Sequence, residues 1–305
     1  MEIYLPVAEM SVNWLIIIAL GMGVGFLSGM FGVGGGFLMT PLLVFTGIPS
    51  TVAVATTLSH VTASSMSGAL TQWRRQGIDF VMAGVMLCGG IFGTLAGVWL
   101  FALMRRQGQM DLIVALGYVL MLGSIGTIML RESLATLKAY RSGITPSRRP
   151  MQRGWVQILP FKMRFRQSRI YISVIPIVVL GLMVGVMTAI LGTGGAFLLI
   201  PAKIYLLRMR TEIAVGTSQF QMFFVACMTT IMHALTDQTV DVVLAFMLIV
   251  GGVMGAQAGT RTASRMRGDQ LRIVFSVLTL AIAIQLLFGL VRTPADIYSI
   301  ILGAG

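Results

Sequence analysis

Charged side chains vanish from this chain for long stretches and return in short bursts. Residues 10–73, 80–104, 112–130, 170–202, 213–236, 242–260 and 273–291 contain no Asp, Glu, Lys or Arg. About 20 apolar residues in helical conformation span a bilayer. Six of these runs suit one helix or slightly more, and the first is long enough for at least two. The pattern predicts an all-α polytopic membrane protein with about eight hydrophobic helical elements, four in each half.

Glycine punctuates the runs at matched places. Residues 25–41 read GFLSGMFGVGGGFLMTP and residues 185–201 read GVMTAILGTGGAFLLIP, so Gly25, Gly32, Gly34, Gly35, Phe37, Leu38 and Pro41 recur 160 positions later. AVATT at 53–57 returns as AVGTS at 214–218. Asp79, an apolar run and GGIFGTLAG at 89–97 return as Asp241, an apolar run and GGVMGAQAG at 251–259. Three blocks in one order predict two internal repeats, over 1–130 and 170–305, joined by a linker over 131–169.

Glycine frees the backbone and destabilises a helix. Gly34-Gly35-Gly36 and Gly194-Gly195 are therefore expected to break their helices. A broken helix leaves backbone N–H and C=O groups unpaired, which hydrocarbon tolerates only where they face protein or a watery cavity. A helix restarting after the break offers its N-terminal N–H groups and positive dipole end to an anion. Paired breaks in corresponding segments of two halves are the sequence pointer to a transporter's binding site. The competing reading is that these glycines serve close helix packing alone. Packing is the expected role of Gly89, Gly93 and Gly97, whose spacing lines one helix face. Asp79 and Asp241 precede helices and are expected to cap them.

Charge sets the topology. Only 10% of residues are charged, against about a quarter in soluble domains. The net charge of +12 concentrates in the linker, where ten basic residues from Arg131 to Arg169 accompany one acid, Glu132. Basic loops stay in the cytoplasm, so the linker is expected there, and nucleic-acid binding is set aside as its role. The stretch FKMRFRQSRIY suits anionic lipid headgroups. If each glycine segment enters and leaves on one side, each half crosses three more times and the repeats are inverted. The N-terminus, the acidic loop with His233, Asp237 and Asp241, and the C-terminus then lie outside. Most basic loops, including Lys203, Arg208 and Arg210, lie inside, with Arg105 and Arg106 misplaced. Single crossings would make the repeats parallel and put the cluster 261–272 outside, a poorer fit. The acidic N-terminus lacks a signal peptide's basic region, so the first hydrophobic segment is expected to stay in the membrane. Cys88 and Cys227 are expected as buried small hydrophobes, and no spacing suggests a metal site.

Polar side chains inside apolar helices are the remaining candidates. Thr56, Thr57, Ser59 and His60 pair with Thr217, Ser218, Gln219 and Gln221 in the other half. Hydroxyls and amides donate to oxyanions at little cost in a membrane, although Ser and Thr also bond back to their own helix. A histidine in a membrane run points to function, here donating to an anion or carrying a coupled proton. His233 is expected to be interfacial. With the breaks, the substrate-binding set is Gly34, Gly35, Gly36, Phe37, Thr40, Thr56, Thr57, Ser59, His60, Gly194, Gly195, Ala196, Phe197, Thr217, Ser218, Gln219 and Gln221, an anion site containing no buried lysine or arginine. No G-x-x-x-x-G-K loop occurs, so ATP is not the direct energy source.

The residues GMFGVGGGFLMTPLL at 29–43, the following AVATT with Ser59, the Asp-initiated helix with GGIFGTLAG and their echoes in the second half resemble the TauE/SafE family of sulfite and sulfonate exporters, also called the 4-toluene sulfonate uptake permease family. The resemblance covers nearly everything outside the linker. It implies a bacterial inner-membrane secondary transporter that exports sulfite, a sulfonate or a related organosulfur anion by alternating access, with no cofactor and no enzymatic activity. Its partners would be the anion, a coupling proton or Na+, lipids and, in some assemblies, a second copy. An anion channel and an importer of a different organic anion are the alternatives. Ala196 replaces the third glycine and Ile200 stands opposite Thr40, so the two half-sites are not equivalent.

Overall fold

The computed structural model describes residues 2–31, 33–108, 110–141, 160–165, 167–168, 170–205, 207, 209–263 and 268–291. Strands β1 (Glu2–Leu5) and β2 (Met10–Asn13) precede α1 (Trp14–Phe31), α2 (Gly36–Phe45), α3 (Ser50–Arg74), α4 (Phe80–Arg106) and α5 (Met110–Arg141). Strands β3 (Lys162–Phe165) and β4 (Ile170–Ser173) precede α6 (Val174–Leu191), α7 (Ala196–Tyr205), α8 (Thr211–Thr236), α9 (Val242–Ala263) and α10 (Gly268–Val291). Counting α1 with α2 and α6 with α7 recovers the eight hydrophobic elements expected from run lengths. Among the described residues, six helices are long and apolar enough to cross a membrane: α1, α4, α5, α6, α9 and α10. Their outward faces carry large apolar side chains such as Phe92, Trp99, Phe246 and Phe288, which suits hydrocarbon rather than water.

Glycine sets how closely the helices approach. Gly21, Gly25 and Gly29 of α1 meet Leu248, Gly252 and Ala256 of α9 in ascending order, so these helices run parallel. Gly89, Gly93 and Gly97 of α4 meet Val178, Leu182 and Val186 of α6 in the same manner. A Cβ at Gly25 would lie 2.6 Å from Gly252 Cα, and one at Gly185 would lie 2.8 Å from Thr94 N. Small residues permit this backbone contact and the dispersion energy that comes with it. The more polar α3 and α8 pack against each other between these pairs, and α5 packs against α10.

Both aspartates cap as expected and do more. Asp79 Oδ1 accepts from Met82 N at 3.1 Å, while Oδ2 accepts from Ser168 N at 3.0 Å and Ser168 Oγ at 2.7 Å. Asp241 Oδ1 accepts from Val243 N and Leu244 N at 3.0 Å, while Oδ2 accepts from Val7 N at 3.0 Å. Ser168 and Val7 sit in the turns of the two hairpins, whose strands pair Lys162 with Ser173 and Glu2 with Asn13. Each carboxylate therefore ties down the hairpin that begins the other half of the chain. The hairpins themselves were not expected. Four-residue strands fall below what hydrophobic periodicity resolves, and FKMRFRQSRIY reads as a basic surface stretch, whereas Phe165 and Ser168 are in fact buried.

Three further expectations are corrected. His233 is buried rather than interfacial: its ring lies 3.1 Å from Asp237 Oδ2 and 3.0 Å from Ala189 O, and it meets the Phe101 ring in a T-shaped contact. Cys88 is exposed and Cys227 half-buried, because an apolar side chain is equally at home facing lipid. Lys203 does not lie in a basic loop but fully buried in α7. Arg105, which seemed to violate the charge rule, donates to Asp237 O at 2.9 Å. It neutralises the acidic loop on that face.

Candidate substrate site

The site begins with the two breaks. Gly34 and Gly35 have φ of 83° and 77°, and Gly192, Gly194 and Gly195 have φ of 67°, 73° and 63°. This left-handed region strains side chains with a Cβ, so glycine is what allows the chain to turn here. Helices restart at once: Leu38 N and Met39 N bond Gly35 O, and Leu198 N and Leu199 N bond Gly195 O. The breaks abut. A Cβ on Gly36 would lie 2.7 Å from both Gly192 O and Thr193 O, and one on Gly192 would lie 3.0 Å from Thr40 Oγ1. Phe37 and Phe197 stack at 4.8 Å between ring centroids, and Phe275 of α10 tilts against them at 5.3 and 5.4 Å. Tyr118 of α5 donates to Leu191 O at 2.7 Å and lies 3.4 Å from Gly36 O, bridging the breaks.

The polar stretches of α3 and α8 line this junction. Ser64 Oγ donates to Gly34 O at 2.9 Å, and Ser65 Oγ lies 3.2 Å from where a Gly34 Cβ would be. Thr188 Oγ1 stands in the same relation to Gly195 at 3.0 Å. Thr57 Oγ1, Ser65 Oγ, Thr188 Oγ1, Gln219 Oε1, Gln221 Oε1 and His60 Nε2 are buried with no hydrogen-bond partner among the described residues. Orphaned buried polar atoms are costly and call for an explanation. Ser65 Oγ at Gly34, His60 Nε2 at Gly35 and Thr188 Oγ1 at Gly195 stand against the breaks, which fits a site meant for a polar ligand.

His60 and Gln221 each bond a backbone carbonyl of a neighbouring helix. His60 Nδ1 donates to Leu248 O of α9 at 3.0 Å, and Gln221 Nε2 donates to Met86 O of α4 at 3.3 Å. His60 Nε2 lies 3.2 Å from the Cβ position of Gly35 and Gln221 Nε2 lies 3.6 Å from that of Gly90.

Other expected members prove structural or peripheral. Thr56 Oγ1 accepts from Asp241 N and Thr217 Oγ1 from Asp79 N, both at 3.1 Å, so these hydroxyls join α3 and α8 to the capped ends of α9 and α4. Ser59 is half-buried. Gln219 packs over Gly68. Ala196 starts α7, and its side chain lies outside the described residues.

Ser218 accepts from Lys203 Nζ at 2.9 Å, and Asp79 lies within electrostatic range of that ammonium. A buried lysine thus stands two turns along α7 from Gly195, against the expectation of none. A signal was available, since Lys203 lies only two residues past the repeated block and 160 positions after Leu43, in register with the helix that follows the first break. Thr188 and Ser65 carried a weaker signal, as hydroxyls in apolar helices. Tyr118 carried none, because one tyrosine in an apolar run reads as core.

The model of the sulfite exporter TauE/SafE family matches residues 17–286. The chain belongs to this family. It is 29% identical over 274 residues to the probable membrane transporter protein YjnA of Bacillus subtilis strain 168, covering 89% of this chain and 98% of that one. A probable membrane transporter protein of Xylella fastidiosa strain 9a5c is 28% identical over 285 residues, covering 90% and 95%. The probable membrane transporter protein YunE of B. subtilis is 22% identical over 284 residues. No solved structure matches the chain. As a TauE/SafE protein with six membrane-crossing candidates, it is a multi-pass membrane transporter, with a small-molecule substrate and lipids as its partners.

Proposed function

We propose that this TauE/SafE protein exports sulfite or a sulfonate across the inner membrane by alternating access, binding the anion where the two breaks abut. The observation that carries this reading is the abutting pair of helix restarts, with the orphaned hydroxyls of Ser65 and Thr188 against Gly34 and Gly195. An oxyanion satisfies hydroxyl donors and N–H groups together and is stabilised by both dipoles. Binding and release carry the function. The repeats are read as inverted, with α1–α2 and α6–α7 as re-entrant segments and 131–169 as a cytoplasmic linker. The exchange of partners, α1 with α9 and α4 with α6, supports that symmetry. Reconstituted protein tests the reading: it should move radiolabelled sulfite or a sulfonate with saturable counterflow, and Thr57→Val or Gly35→Leu should abolish the flux. Wild-type rates in both folded variants would refute the site, and flux without counterflow would mark a channel.

A further inference from the structure

The hydrogen bond at His60 fixes where its proton sits. Leu248 O is a carbonyl and can only accept, so Nδ1, at 3.0 Å, carries the hydrogen. A neutral imidazole has one N–H and one lone pair. Nε2, buried and unpartnered, therefore presents a lone pair beside Gly35 at the first break. Gln221 behaves alike. Its amide N–H₂ faces Met86 O, which leaves Oε1 as an unpartnered acceptor. At His60 the protein thus offers an acceptor to the site, and an acceptor repels an oxyanion. On α8, which packs against α3, the titratable groups besides the Cys227 thiol are Glu212 and His233, nine positions before and twelve after Gln221. The sequences of α1 and α2 contain no titratable group, and on α3 the nearest is Arg74, fourteen positions from His60. On α9, Asp241 lies seven positions before Leu248 and Arg261 nine positions after Gly252.

We propose that His60 is the protonation site of the transport cycle: Nε2 takes one proton from the side to which the site is open, then donates that N–H to the bound anion. The step forms one N–H bond, breaks none in the substrate, and returns the proton to water when the anion leaves. One proton therefore travels with each monoanion, and the pair crosses without net charge. This rests on the anion-transport reading above.

Two measurements test it. The first uses nitrogen-15 histidine-labelled protein in detergent micelles without any anion, with His60→Gln assigning the resonance. Neutral His60 should appear as the Nδ1–H tautomer; the Nε2–H tautomer overturns the proposal. The second is calorimetric titration with sulfite and with ethanesulfonate, a monoanion across the working pH range, in buffers of different ionisation enthalpy. Ethanesulfonate binding should take up one proton, and its affinity should fall about tenfold per pH unit on the alkaline side of the imidazole titration. His60→Gln should bind more weakly and without that slope. Binding without proton uptake, or an equal slope in His60→Gln, overturns the proposal and leaves the anion site standing. Failure of the wild-type protein to bind either anion refutes the anion reading and this proposal together.

Discussion

Replacing Asp79 with Asn tests the latch between the halves. The carboxylate accepts two hydrogen bonds from Ser168 through one oxygen, at 3.0 and 2.7 Å, and one from Met82 N through the other. An asparagine amide keeps one acceptor. If that oxygen stays on Met82 N, an N–H₂ group faces the Ser168 N–H, so one bond becomes a repulsion and a buried donor is stranded. Bonds to a charged acceptor contribute about 1.5–3 kcal/mol each, and a stranded donor costs a similar amount. The docking of hairpin β3–β4 should weaken by roughly 3–5 kcal/mol. At 1.4 kcal/mol per decade that is roughly a hundredfold to a few thousandfold in the opening equilibrium. Hydrogen exchange read by mass spectrometry should show faster exchange over 167–173 by that factor, with the β1–β2 amides unchanged. Ser168→Ala isolates the effect, because it removes only the hydroxyl bond and leaves the α4 cap and the lysine's counter-charge intact. It should raise exchange about five- to thirtyfold, corresponding to about 1–2 kcal/mol. Unchanged exchange over 167–173 in Asp79→Asn, or an equal rise in both hairpins, would refute the reasoning.

Gly25→Ala drives a Cβ into the Gly252 backbone and should destabilise by about 1–3 kcal/mol or more, seen as a lower midpoint in thermal unfolding in detergent. Thr57→Val removes an orphaned buried hydroxyl; the fold should be as stable as wild type or up to about 2 kcal/mol more so, so that lost flux cannot be ascribed to unfolding. Tyr118→Phe strips Leu191 O of its donor and should cost about 1–2 kcal/mol, with faster exchange around the second break. Arg105→Ala should change stability by less than about 1 kcal/mol, because the arginine is exposed in its pair with Asp237.

The helices and the breaks were legible because each leaves a local mark: charge-free runs of spanning length, and glycines where φ must be positive. Capping by Asp79 and Asp241 was legible for the same reason, since an acid before an apolar run is a local sign. What those acids also hold was not, because Ser168 and Val7 are far away in sequence and their hairpins are too short to announce themselves. Lys203 shows a different failure. A lysine near a helix end reads as a loop cation, and only the repeat register places it inside α7. His60 was found by being out of place in an apolar run, but its tautomer depends on Leu248, a residue of no distinction in sequence.

The pairing of α1 with α9 bears on how the protein is made. Chain leaves the ribosome in order, so α1 is in the membrane with its glycine face uncovered until residues 242–263 have been synthesised. The α4–α6 pair closes much sooner, once residues 174–191 emerge. Assembly should therefore start from α4 and α6, continue with α9 sliding against α1, and finish with α10 closing on α5. A chain truncated before Val242 would leave the Gly21, Gly25 and Gly29 stripe open to any other small-faced helix, which makes it a natural target for membrane quality control.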